Sequence, residues 1–240
     1  MTRPAGEDPL LSVEGVSAGY GGATVVNDVS LAVRAGEIVT VLGKNGMGKS
    51  TLMKTIMGFV RARSGRVILD REDVTRHAPH AMARAGVAYA PQEFTIFQDL
   101  TVEENLRVGV PDDHTYRARV DSLGDVFPRM LERLGQRAGT LSGGEQKMLI
   151  MSRAVLARPR LMLVDEISEG LQPTMIDRMA EVLRATREAN GTAVLLVEQH
   201  LAFALSVADR FAVLKLGQIV EEGPAGDPSA SDALADHLKV

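Results

Sequence analysis

One stretch of eight residues restricts the fold of this chain more than any other. Gly43 to Ser50 read Gly-Lys-Asn-Gly-Met-Gly-Lys-Ser, which fits the phosphate-loop pattern G-x-x-x-x-G-K-[ST]. A short β-rich run, Glu37 to Leu42, leads into it, and Ser50 to Met57 reads as a helix. Strand, glycine loop and helix in that order is the context the motif requires. Glycines let successive backbone N–H groups turn inward around phosphate oxygens, and the following helix adds its positive end. Lys49 is then placed for the β- and γ-phosphates and the Ser50 hydroxyl for Mg²⁺.

The remaining chain extends this into an α/β pattern. Leu10 to Val16 and Val25 to Val33 alternate loosely and read as strands around a Gly-rich turn at Gly19 to Gly22. Arg66 to Asp70 and Gly86 to Ala90 are further strands, with a helix at Pro79 to Ala85. The middle, about 93–157, is rich in helix formers and charges, and Thr101-Val102-Glu103-Glu104 forms a capping-box pattern. From Leu161 the β signals return. Leu161 to Val164 and Thr192 to Val197 flank a helix at Thr174 to Ala189; after a helix at Leu201 to Ala208, Phe211 to Leu216 and Gln218 to Glu222 read as a hairpin. The apolar runs Leu161 to Val164 and Ala193 to Val197 suit parallel strands covered on both faces.

Composition bounds the function. With 240 residues, 45% of them apolar, the chain can build a sizeable core, and we expect a single domain over 1–240. A formal charge of −4 provides no basic field, so no nucleic-acid partner is expected. Zero cysteines exclude a disulfide scaffold. The longest apolar runs, such as Ala193 to Val197, have five residues, against about 20 for a spanning helix. Any membrane role is therefore expected to run through a partner. Met1 to Pro9 is polar and does not read as a signal peptide, and the tail after Gly223 is too short for an appended domain.

Two further motifs carry chemistry. Leu161-Met162-Leu163-Val164-Asp165-Glu166 is an apolar strand ending in two acids. In α/β folds such an end lies beside the phosphate loop. Asp165 would hold Mg²⁺, partly through water, and Glu166 would polarise the attacking water. Leu141-Ser142-Gly143-Gly144-Glu145-Gln146 places a capping serine and two glycines before a helix. Ser142 can cap while Gly143 and Gly144 bare their N–H groups, making a second anion site aimed outward.

These motifs in this order resemble the ATP-binding-cassette (ABC) ATPases over nearly the whole chain. The resemblance implies a phosphate-loop NTPase fold with a RecA-like core, an antiparallel β subdomain and a helical subdomain. It implies ATP as substrate, with Mg²⁺. Nucleotide contacts would come from Tyr20, Gly43, Asn45, Gly46, Gly48, Lys49, Ser50 and Thr51, and in trans from Ser142, Gly143 and Gly144. Tyr20 would stack on adenine. Gln92 would touch Mg²⁺ and the water beside Ser50 and Asp165, and Glu166 would act as base. Ser168 to Pro173 would lie across a dimer interface, and Glu93 to Val108 would meet the coupling helices of a permease.

Three departures narrow the subfamily. Ile167 replaces a common Pro, Gln172 replaces a common Asp, and Glu198-Gln199-His200 leaves the γ-phosphate contact open between Gln199 and His200, with motif register favouring Gln199. Leu-Val-Glu-Gln, Leu-Ser-Gly-Gly-Glu-Gln-Lys-Met-Leu and Ser-Glu-Gly-Leu-Gln-Pro resemble the Liv-type ATPases of branched-chain amino acid importers and their urea and short-amide relatives. The implied partners are integral membrane permeases and a second ABC ATPase, in a heterodimer or else a homodimer. A periplasmic or extracellular substrate-binding protein would act indirectly. The implied place is the cytoplasmic face of the cell membrane. An exporter subunit, a soluble ABC ATPase and a phosphate-loop kinase are the rival readings. The kinase leaves Leu141 to Gln146 unexplained.

Overall fold

The computed structural model describes residues 8–92 and 96–227 together with Leu234. Most of the leader reading of Met1 to Pro9, the first residues of the 93–108 face and most of the tail reading lie outside these residues.

Two sheets form. In the first, β1 (Leu11–Ala18) pairs antiparallel with β2 (Val26–Val33) and with β4 (Ala62–Leu69), and β5 (Glu72–Asp73) extends β4. The second has the order β10-β9-β3-β8-β7-β6, from β3 (Ile38–Leu42), β6 (Val87–Ala90), β7 (Leu161–Asp165), β8 (Ala193–Glu198), β9 (Arg210–Lys215) and β10 (Gln218–Pro224). All its pairings are parallel except β9 with β10.

Side-chain alternation explains why β3, β7 and β8 are buried at every position. Val39, Val41, Leu161, Leu163, Leu195 and Val197 face one core, shared with the antiparallel sheet and with Leu52 and Met53 of α1 (Lys49–Ile56). Ile38, Met162, Val164, Val194 and Leu196 face the other. That second core is closed by helices. After α2 (Pro79–Arg84) come α3 (Val102–Arg107), α4 (Asp113–Arg119), α5 (Leu123–Val126), α6 (Pro128–Leu131) and α7 (Gly143–Leu156), all between β6 and β7. α8 (Pro173–Asn190) and α9 (Leu201–Val207) follow β7 and β8.

The expected elements are present with shifted ends. β4 begins at Ala62, before Arg66, because its first half pairs with Ser17 and Ala18 across an irregular register that the sequence pattern does not reveal. β5 is a two-residue bridge with no periodicity to read. The capping box at Thr101 forms, with the Glu104 N–H on the Thr101 hydroxyl and the Glu104 carboxylate on the Thr101 N–H.

Candidate functional site

The ends of β3, β6, β7 and β8 converge on the phosphate loop. Gly48 caps α1 in the left-handed region, φ +104°, where a side chain would be strained. Gly43 is needed for space, since a Cβ there would lie 2.5 Å from the Leu214 carbonyl oxygen. The β9–β10 turn buttresses the loop, with the Gly217 N–H donating to Met47 O at 3.1 Å. Gly43 N–H donates to Glu198 O at 3.3 Å, tying the loop to the end of β8.

Lys49 curls back over the loop. Its ammonium donates to Gly43 O at 2.7 Å and Lys44 O at 2.9 Å, and pairs with Glu166 Oε1 at 2.8 Å. Both side chains of this pair are buried. The Ser50 hydroxyl donates to Asp165 Oδ1 at 3.1 Å. Gln92 Nε2 donates to Glu166 Oε2 at 2.9 Å and to Glu169 Oε2 at 2.7 Å. Burial raises the Asp165 carboxyl above the usual range, against the hydrogen bonds from Tyr89 and Ser50. Glu166 holds a left-handed backbone, φ +46°, which is costly for a residue with a Cβ and is common where strain serves a site.

The fold thus brings together Lys49, Ser50, Gln92, Asp165 and Glu166 from stretches far apart in the chain. Thr51 lies buried on α1, while Asn45 and Gly46 are exposed at the lip. Tyr20 sits exposed in the turn between β1 and β2. Gln199 is half-buried just after β8. His200 is exposed and caps α9, its Nδ1 accepting from Phe203 N–H at 3.3 Å.

Ser142, Gly143 and Gly144 form the start of α7. Ser142 caps α7 in a second capping box with Glu145. Among the described residues nothing lies within 4 Å of a Cβ built on Gly143, so that side of the helix start is open. Beside it is a cavity of about 460 Å³ that Gln92, Lys147 and Glu169 also line.

Four further polar residues belong to the site, and three of them, Lys147, Glu169 and Glu198, lie inside motifs quoted above that gave them no role of their own. Tyr89 Oη donates to Asp165 Oδ2 at 3.1 Å. Lys147 Nζ donates to the carbonyls of Glu166, Ile167 and Glu169 at 3.3, 3.2 and 2.5 Å, tying α7 to the end of β7. Glu169 accepts from Gln92. The Glu198 carboxylate, fully buried, accepts the Ser168 N–H at 3.0 Å and the Ser168 hydroxyl at 2.7 Å. Tyr89 is placed by strand register. Paired with Leu163 across β6 and β7, it shares a face with Asp165 two residues on.

Residues 26–169 match the family described as ABC transporter. The high-affinity branched-chain amino acid transport ATP-binding protein BraG of Pseudomonas aeruginosa is 43% identical over 213 residues, 88% of this chain and 91% of that protein. The probable branched-chain amino acid transport ATP-binding protein LivF of Archaeoglobus fulgidus is 34% identical, over 91% of this chain and 93% of that one. A nucleotide-free ATP-binding cassette from an ABC transporter superposes with a TM-score of 0.85 at 26% identity, over 95% and 96% of the two chains.

Proposed function

This chain belongs to the ABC transporter ATPase family, and on that premise we propose that it is the ATP-hydrolysing subunit of an importer for branched-chain amino acids. The observation that carries the chemistry is the convergence of Lys49, Ser50, Gln92, Asp165 and Glu166 at one end of the parallel sheet. The substrate class rests on similarity to BraG and LivF. The urea and short-amide reading keeps only the Gln172-Pro173 pair in its favour.

The buried pair Lys49–Glu166 supports a simple sequence of events. A phosphate chain in the loop competes with Glu166 for the Lys49 ammonium. A buried ion pair broken with no substitute costs about 3–5 kcal/mol, so the incoming phosphate must replace the carboxylate directly. Glu166 is then released to orient and deprotonate a water, with Gln92 still in reach of its other oxygen. The Asp165 carboxylate, the Ser50 hydroxyl and the Gln92 amide are hard oxygen donors and fit Mg²⁺. The ion would neutralise charge on the transferring phosphoryl group. Ser142 to Gly144 would close over ATP held by a second ATPase subunit, with Gln199 rather than the cap-engaged His200 reaching the γ-phosphate.

No helix among the described residues is long and apolar enough to cross a membrane. A groove of about 970 Å³ that Phe59, Tyr89, Gln92 and Val108 help to line suits a permease helix, which would hold the chain at the cytoplasmic face of the membrane. Phe59 and Val108 are exposed large apolar side chains there.

Glu166→Gln tests the reading. It should cut ATP hydrolysis by orders of magnitude while trapping an ATP-bound dimer in gel filtration, and Lys49→Ala should abolish hydrolysis. Wild-type turnover in Glu166→Gln would overturn Glu166 as base. Mass spectrometry of proteins recovered with tagged Glu166→Gln and ATP–Mg²⁺ from detergent-solubilised membranes should show two polytopic permeases and a second ATPase. Recovery of soluble partners alone would sink the transport role.

A further inference from the structure

Asp165 is held from two sides. Ser50 donates to Oδ1 and Tyr89 to Oδ2, each at 3.1 Å. Ser50 and Asp165 are the proposed Mg²⁺ ligands, but Tyr89 has no part in that chemistry. Its position explains the contact. Tyr89 pairs with Leu163 in the parallel register of β6 and β7, so side-chain alternation puts it on the face of Asp165, one diagonal step along the strand. A phenol at that step is long enough to reach the carboxylate. The phenol on Oδ2 restrains the carboxylate and favours Oδ1 turned toward the Ser50 hydroxyl.

The same ring is part of a second structure. Tyr89 lies in the wall of the 970 Å³ groove, and its centroid is 6.1 Å from that of Phe59 with the planes tilted at 45°. This is normal aromatic contact. Phe59 is 59% exposed, so whatever enters the groove meets it directly. Asp165 and Ser50 line the inner end of that groove. One side chain therefore touches the docking groove with its ring and the metal-ligating carboxylate with its hydroxyl.

We propose that Tyr89 is a positioning residue that fixes the Asp165 carboxylate for Mg²⁺ and links the groove, through Phe59, to the metal site. The proposal rests on the Mg²⁺–ATP reading of the site. Occupancy of the groove and Mg²⁺ binding bias the same ring, so each changes the affinity for the other.

Tyr89→Phe isolates the hydroxyl, because it keeps the ring, its volume and its contact with Phe59. Binding of a fluorescent ATP analogue (mant-ATP) to the purified chain is titrated with Mg²⁺. Losing a hydrogen bond to a carboxylate should raise the Mg²⁺ concentration for half-effect roughly three- to tenfold, with Mg²⁺-free binding unchanged. The link to the groove is read separately. The chain has no tryptophan, so Phe59→Trp introduces a single reporter into the groove wall. Adding Mg²⁺ to the ATP-bound Phe59→Trp chain should shift its emission. In Phe59→Trp combined with Tyr89→Phe, that shift should be lost even at saturating Mg²⁺.

An unchanged Mg²⁺ dependence in Tyr89→Phe overturns the positioning role. Loss of Mg²⁺-free binding as well overturns it too, since the hydroxyl would then serve the fold. An emission shift of full size in the double variant overturns the link to the groove. A wild-type chain whose mant-ATP binding ignores Mg²⁺ overturns the metal-site reading itself, and the inference with it.

Discussion

Glu198 shows how a single buried carboxylate can organise the loops around a site. It receives the Ser168 N–H and hydroxyl, and so pins the loop after β7 to the end of β8. Burial raises its carboxyl above the ordinary glutamate range. The native state then holds a proton that the unfolded chain has already released. This contribution to stability is full below the ordinary value of about 4.3 and is lost as pH rises through the folded value. Glu198→Gln removes that slope. Its unfolding free energy, measured by denaturant titration against wild type, should shift in the variant's favour as pH rises from acid to neutral. A difference that stays flat with pH would refute the burial argument. Glu198→Ala leaves two buried donors without acceptors and should cost about 2–4 kcal/mol at neutral pH.

Among the elements, α7 joins two tasks that its sequence displays unequally. Its first turn reads at once, because Ser142 and Glu145 stand at capping-box spacing before a run of helix formers, and both reciprocal bonds are present. Lys147, one turn in, gives no such signal, since its partners are backbone carbonyls of 166, 167 and 169. The cap and the proposed anion site can be separated by substitution. Ser142→Ala should lower stability by about 1 kcal/mol and Ser142→Gly by only a few tenths, by urea unfolding. Equal losses in the two variants would mean that the hydroxyl does not cap. The strands β7 and β8 were legible for the opposite reason to α7's lysine: continuous apolar runs are what burial on both faces demands.

At the scale of the molecule, two cores meet across one mostly parallel sheet, and the groove takes in Ser50 and Asp165 together with exposed apolar side chains. A charge there should block docking while sparing the fold. Val108→Asp, at an exposed position, should abolish recovery of permeases from solubilised membranes while its thermal midpoint stays within a few degrees of wild type. Equal recovery would show that the permease docks elsewhere. By itself the sequence determined the phosphate loop, the acidic strand end, the capped helix start and the α/β class. Each of these is a local pattern of spacing, apolarity or capping chemistry, readable within a dozen residues. Only the tertiary structure decided that Lys49 pairs with Glu166, that Tyr89 holds Asp165, that Lys147 grips the end of β7 and that Glu198 pins Ser168. Those contacts depend on strand order and on the register of β6 against β7 and β7 against β8. Register is set by how the whole sheet packs its two faces, and no local stretch of the chain encodes it.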